Sequence, residues 1–189
     1  MNKLTDRESY DIQKVLEDKN YFPAMPERHK TAAVSLVAVF SSANNLEYVP
    51  DAVINKDTCR MAIEAKDADC SILSQIPYPE IQKKGIEKFT ENTPAFVVYS
   101  FVDISDAQMA HDAVKADAYC VQHVPDKLIT ADLCKAALSH PDSDKKVFGF
   151  IPERFRNNPE VRKMAEEKFG NSPLQKEISL IEKKKGRGI

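Results

Sequence analysis

Four cysteines and four histidines are the residues of this chain best equipped for metal or nucleophilic chemistry, and their spacing decides what they can do. Cys59, Cys70, Cys120 and Cys134 form no C-x-x-C pair, and His29, His111, His123 and His140 lie far from one another. A zinc knuckle or a redox dithiol is therefore not spelled out. Cys120 and His123 stand three apart, close enough to share a helix face, but one Cys and one His make half a zinc set. A nucleophile needs a general base and an orienting group, and no Ser/His/Asp or Cys/His arrangement is suggested. Cys59 and Cys134 fall on apolar helix faces and read as small buried hydrophobes. The D-x-D pairs Asp67/Asp69 and Asp142/Asp144 raise calcium, yet the third oxygen ligand, central Gly and closing Glu of an EF-hand loop are missing. These aspartates read as turn acceptors and helix caps. There is no G-x-G-x-x-G and no Walker lysine loop. The expectation is a chain with no catalytic, cofactor-binding or metal-ligating residues and no cofactor; an enzyme with a site assembled from distant residues is a third reading.

Charge supplies a different chemistry. Residues 145–189 carry 12 Lys/Arg against 6 Asp/Glu, which leaves 15 against 23 in residues 1–144. The tail Lys183, Lys184, Lys185 and Arg187 is a candidate electrostatic contact for phosphates or an acidic protein surface. It carries no interleaved aromatic for base stacking, and Glu153, Glu160, Glu166 and Glu167 interrupt the upstream cations Lys145, Lys146, Arg154, Arg156, Arg162 and Lys163.

The elements that carry these residues emerge from self-comparison. Residues 46–77 align with residues 121–152 at a constant offset of 75, with 11 of 32 positions identical. The identities include Val49/Val124, Pro50/Pro125, Cys59/Cys134, Ala62/Ala137, Ile76/Ile151 and Pro77/Pro152, all assigned to repeat packing. After a five-residue insertion the match resumes, residues 79–89 against 159–169, with six of eleven identical. Within each block an apolar-Pro landmark recurs at Met25-Pro26, Val49-Pro50, Ile76-Pro77, Val124-Pro125 and Ile151-Pro152. The residue before proline is pushed out of α geometry, so each landmark ends a short helix. Ala38, Ala62, Gly85, Ala113, Ala137 and Ala165 follow a related rhythm, as contacts where helix backbones approach closely. Thr5 with Glu8 makes a capping box, Ser105, Thr130, Asn158 and Ser172 are N-cap candidates, and Pro159 and Pro173 fit the first helical position. Longer helices are expected near 5–17, 28–41, 57–66, 79–90, 105–116, 130–139, 158–169 and 172–184. Shorter ones are expected near 44–49, 70–76, 94–101, 118–124 and 146–151.

The pattern Leu46-x-x-Val49-Pro50-Asp51-x-x-Ile54 followed by Cys59-x-x-Ala62-Ile63, with a second copy over Val121–Leu138, resembles the short helical repeats of domain of unknown function 4116. The resemblance spans about residues 30–155. It departs at Asp103, which stands in a proline slot, and over Gly85–Val102. It implies a helical repeat fold and brings no catalytic residues.

The expected fold is all-α, short helix-turn-helix repeats stacked as a small α-solenoid with an internal 75-residue duplication. Residues 1–26 form a capping helix and linker, 27–169 the repeat array, and 170–189 a C-terminal helix with the basic tail. With five glycines and no tryptophan, sandwich and barrel chemistry is poorly served. No apolar run reaches the length of a membrane span and the first 14 residues lack a signal-peptide order, so the expected location is cytoplasmic, or within a larger assembly. Stacked helix pairs offer an extended surface, so the leading expectation is a non-catalytic protein-binding module or assembly subunit, with exposed aromatics drawn from Tyr10, Tyr21, Phe22, Tyr48, Tyr78 and Tyr99. The alternative is a nucleic-acid-binding accessory protein using the basic C-terminal third. No membrane partner is expected, and the oligomeric state is left open.

Overall fold

Short helices of about ten residues are marginal in water on their own, so each must be fixed by its caps and by burial of one face. The computed structural model describes residues 3–18 and 20–170. Among them every regular element is helical and no strand occurs. No described helix is long and apolar enough to cross a membrane. The chain divides into two units, Met1–Thr93 with Phe101–Asp103, and Pro94–Ser100 with Ile104–Ile189.

The first unit contains α1 (Asp6–Glu17), α2 (Tyr21–Ala24), α3 (Ala32–Ser41), α4 (Lys56–Glu64) and α5 (Pro79–Thr90), with 3₁₀ turns at Glu27–His29, Ala43–Tyr48 and Cys70–Gln75. The capping box is present, Glu8 N donating to Thr5 Oγ1 at 3.1 Å and Thr5 N to Glu8 Oε2 at 2.9 Å. α3 packs between α1 and α4, α4 packs on α5, and the 3₁₀ turns close the core around Phe22, Leu46, Ile72, Leu73, Ile76 and Ile81. The single helix expected over 28–41 is interrupted. Thr31 takes the extended N-cap conformation of α3, and its hydroxyl donates to Glu8 Oε1 at 2.8 Å, tying α3 to α1.

The second unit contains α6 (Ala95–Tyr99), α7 (Ala107–Ala116), α8 (Ala131–Ser139), α9 (Lys145–Phe150), α10 (Glu153–Arg156) and α11 (Pro159–Phe169), with 3₁₀ turns at Ala118–His123 and Asp126–Leu128. α8 packs against α7 and α11, while α6 and α9 pack on the Ala118–His123 turn. Thr130 and Asn158 are the N-caps of α8 and α11, but Asp106, whose Oδ1 accepts from Met109 N at 2.9 Å, caps α7 in place of Ser105. A carboxylate is the stronger acceptor beside the positive end of the helix.

All five landmark residues preceding proline, Met25, Val49, Ile76, Val124 and Ile151, are extended C-caps of short helices. Ala38, Ala62, Ala113, Ala137 and Ala165 have no exposed surface. Gly85 shows why the position is small: a Cβ there would lie 2.5 Å from Leu73 Cδ2 and 3.2 Å from Ile63 Cδ1. The helix expected over 172–184, with Ser172 and Pro173, lies outside the described residues, as do Lys183, Lys184, Lys185 and Arg187.

Candidate interaction surface

The residues assigned to repeat packing turn inward. Val49, Cys59, Ala62, Ile76, Val124, Cys134, Ala137 and Ile151 are buried, while Pro50, Pro125 and Pro152 are half-buried and Pro77 is exposed. All four cysteines are free and buried. Burial pushes the Cys59 and Cys134 thiols up to about 11 and raises Cys70 and Cys120 as well, so each is held as the unreactive thiol at neutral pH. Beside Cys120 on the Ala118–His123 turn, burial lowers the pKa of His123, whose Nε2 is enclosed without a hydrogen-bond partner. Asp69 and Asp144 are N-caps, accepting from Ser71 N at 2.8 Å and Lys146 N at 2.7 Å. Asp67 accepts from Ser42 Oγ at 2.6 Å and Ala43 N at 2.9 Å, and Asp142 is exposed. Among the described residues no group of three or more His, Cys, Asp or Glu is placed to hold a metal ion.

The first unit displays most of the exposed apolar surface. Leu4, Tyr10, Leu16, Phe40 and Tyr48 are exposed there. The six aromatics named from the sequence divide: Phe22 and Tyr99 are buried, Tyr21 and Tyr78 half-buried, Tyr10 and Tyr48 exposed. On α3 the apolar residues do not stop at the core. Val34, Ser35, Ala38 and Val39 face inward, whereas Ala33, Leu36, Val37 and Phe40, spaced i, i+3, i+4, i+7, form a half-exposed to exposed stripe on the opposite side. Ala32–Ser41 carries no charge, which hid that stripe within a run that reads as core. Arg7 and Lys14 lie 5.3 and 5.9 Å from the Tyr10 ring centroid, and Lys30 lies 5.1 Å from that of Phe22 and 5.7 Å from that of Tyr48.

Two polar features flank that surface. The Asp11 carboxylate, 1% exposed, receives Arg7 Nε at 2.9 Å and the Tyr21 hydroxyl at 3.0 Å, with His29 Nδ1 3.7 Å away. Desolvation and this hydrogen bond raise the Tyr21 pKa, keeping its proton on the donor side. An open groove of about 470 Å³ is lined by Asn20, Pro23, Ser42, Asn44, Asn45, Glu47 and Tyr48. Its amides gave no sequence signal, because isolated asparagines in turns are ordinary.

In the second unit the exposed chemistry is mostly compensated. Tyr119 lies between Phe96 and Phe150, with ring centroids 5.9 and 6.0 Å apart, and its hydroxyl donates to Asp144 Oδ2 at 2.7 Å. That bond holds the Asp144 carboxyl below the usual range. Of the basic residues singled out, Arg154 pairs with Asp126, Arg162 with Glu166 at 3.0 Å and Lys163 with Glu167 at 3.7 Å. Lys135 bridges Asp132 at 2.8 Å and Glu160 at 2.9 Å. The described part of the basic third is therefore a set of local ion pairs rather than a continuous cationic stripe. No protein-family model, curated protein or solved structure matches the chain.

Proposed function

We propose that the chain is a tandem of two copies of one helical unit, of the α-solenoid repeat type that the resemblance to domain of unknown function 4116 implies, acting as a non-catalytic protein-binding module or assembly subunit. The element bounds support the tandem. α3 and α7 begin and end 75 residues apart, as do the turns Ala43–Tyr48 and Ala118–His123, then α4 and α8, then Cys70–Gln75 and α9. α5 and α11 open on Pro79 and Pro159, the extra five residues being the insertion. The bracing matches too: Lys88 Nζ donates to Ile63 O at 2.6 Å at the end of α4, and Lys168 Nζ to Leu138 O at 2.8 Å at the end of α8.

The binding reading rests on one observation, the divergence of the two copies on their outer faces. Ala33, Leu36, Val37 and Phe40 of α3 correspond at offset 75 to Gln108, His111, Asp112 and Lys115 of α7. The frame accepts polar residues at these positions, so the apolar ones in the first copy serve something other than folding, and exposed apolar patches mark protein contacts. The stripe runs about 15 Å along α3, the span of three turns of a partner's amphipathic helix, which we take as its occupant.

The test is affinity capture of the tagged full-length chain, with nuclease and a moderate salt wash, beside Phe40→Asp. A stoichiometric protein partner held by the native chain and reduced at least tenfold by the variant supports the reading. Binding indifferent to Phe40→Asp and lost to nuclease and salt refutes it and transfers the function to nucleic acid and the basic C-terminal third.

A further inference from the structure

We infer that the polar groove of the first unit is a binding site for an extended peptide segment bearing a lysine or arginine; this deepens the protein-binding reading and rests on it. The groove's size, about 470 Å³, falls in the range of roughly 300–1,000 Å³ typical of ligand pockets. Its chemistry is unusual for a surface hollow. Three of its seven lining residues are asparagines, joined by Ser42, Glu47, Pro23 and Tyr48.

Asn45 is the built element. It is 4% exposed, and its Nδ2 donates to Ala38 O at 2.9 Å, which leaves Oδ1 with no donor among the described residues. A buried carboxamide oxygen without a donor is costly unless water or a ligand supplies one. Asn20 and Asn44 are exposed, and their side-chain amides have no partner among the described residues. A carboxamide offers one acceptor and two donors, the complement of a main-chain N–H and C=O. Three around one groove can pair with the backbone of an extended segment whatever its side chains are. Glu47 is the sole charged lining residue and selects a cation beside it. A sugar, the other polyhydroxyl or amide-seeking ligand, needs a free aromatic face, but Lys30 Nζ already lies 5.7 Å from the Tyr48 ring centroid.

The second copy supplies the contrast. At the corresponding positions Asn20, Asn44 and Asn45 become Ala95, Tyr119 and Cys120, and Glu47 becomes Gln122. Tyr119 stands between Phe96 and Phe150 there, and Cys120 is fully buried. The same frame thus carries an aromatic cluster in one copy and free amides in the other.

The experiment is an NMR titration of the ¹⁵N-labelled full-length chain with positional-scanning pools of acetyl- and amide-capped hexapeptides, reading the side-chain amide signals of Asn20, Asn44 and Asn45. Pools fixed with Lys or Arg are expected to shift these signals saturably, at least about threefold more tightly than pools fixed with Glu. Asn44→Tyr, which introduces the residue of the second copy, is expected to weaken binding at least tenfold, Asn44→Ala less, and Glu47→Gln to remove the preference for basic pools. The amide spectrum outside the groove monitors folding, and the Asn44→Ala and Glu47→Gln results stand if the tyrosine variant misfolds. No saturable shift with any pool overturns the inference, as does tighter binding of a soluble oligosaccharide mixture at the same signals. A partner captured equally by native chain and Asn44→Tyr, with no peptide shift, sinks the groove but leaves the protein-binding reading intact. Peptide binding without the Phe40-dependent partner does the reverse.

Discussion

Gly85→Ala sets two physical effects against each other at a known contact. Alanine is favoured over glycine by about 1 kcal/mol inside a helix, and Gly85 is mid-helix in α5. Against this, the new methyl carbon would lie 2.5 Å from Leu73 Cδ2 and 3.2 Å from Ile63 Cδ1. Leu73 has no exposed surface and Ile63 is 3% exposed, so neither side chain can swing into solvent. Overpacking of this kind costs about 1–3 kcal/mol. The net expectation is a loss of about 1 kcal/mol, or a fall of roughly 4–8 °C in the melting of a unit near 100 residues. The assay is urea unfolding monitored by circular dichroism, as a double-mutant cycle with Leu73→Ala. Alone, Leu73→Ala should cost about 2–5 kcal/mol by leaving a cavity. In the Gly85→Ala background it should cost about 1 kcal/mol less, because the deleted carbons are those the methyl strikes. An increase in stability of about 1 kcal/mol from Gly85→Ala, with an additive cycle, would mean that the helices are not in close contact there and that the spacing rhythm has another origin.

Ala165→Gly, at the corresponding position of α11, should lose about 1–2 kcal/mol by urea unfolding from helix propensity and the lost buried methyl. Asp11→Ala should cost about 1–3 kcal/mol by leaving Arg7 and the Tyr21 hydroxyl without their shared acceptor, and a loss below about 0.5 kcal/mol would refute that network. The folded-state pKa of Asp144 is depressed through its Tyr119 hydrogen bond, so its contribution is present above the ordinary aspartate range near pH 4 and fades as pH falls through the folded value. Melting curves between pH 6 and 2 should therefore show a shallower acid loss in Tyr119→Phe than in the native chain. Thiol modification at pH 8 should be slow at Cys59 and Cys134, whose thiols sit near pKa 11, and should accelerate in step with urea unfolding; prompt native-state labelling would contradict their burial.

The helical class, the apolar-Pro breaks and the small-residue contacts could be read from the chain because each is a local rule with a steric cause. Val49, Ile76, Val124 and Ile151 leave α geometry for the proline that follows, whatever surrounds them. The break at Lys30–Thr31 was not legible in that way, since it depends on Thr31 reaching Glu8 across 23 residues. Asp106 prevailed over Ser105 as a cap for a reason that only the final register reveals. The groove was invisible for a similar cause: Asn20 and Asn44 or Asn45 are more than 20 residues apart, and nothing in their neighbourhoods pairs them. The outer stripe of α3 was misread as core because Ala32–Ser41 is apolar on both faces, leaving periodicity nothing to resolve.

The division between frame and outer face makes structural and functional losses separable. Helices of 9 to 12 residues such as α4, α5, α8 and α11 persist through caps, small-residue contacts and the lysine that closes a neighbouring helix end. Both copies share these, so changing one should lower stability and, through it, any binding. Phe40 and Asn44 take no part in that bracing, and the second copy replaces them with Lys115 and Tyr119 on an equivalent helix and turn. Substitutions there should leave unfolding within about 0.5 kcal/mol of the native chain, as exposed positions do, while changing what the first unit holds. If Phe40→Asp or Asn44→Ala instead destabilised the chain by more than about 1 kcal/mol, those residues would belong to the frame, and the contrast between the copies would no longer argue for binding.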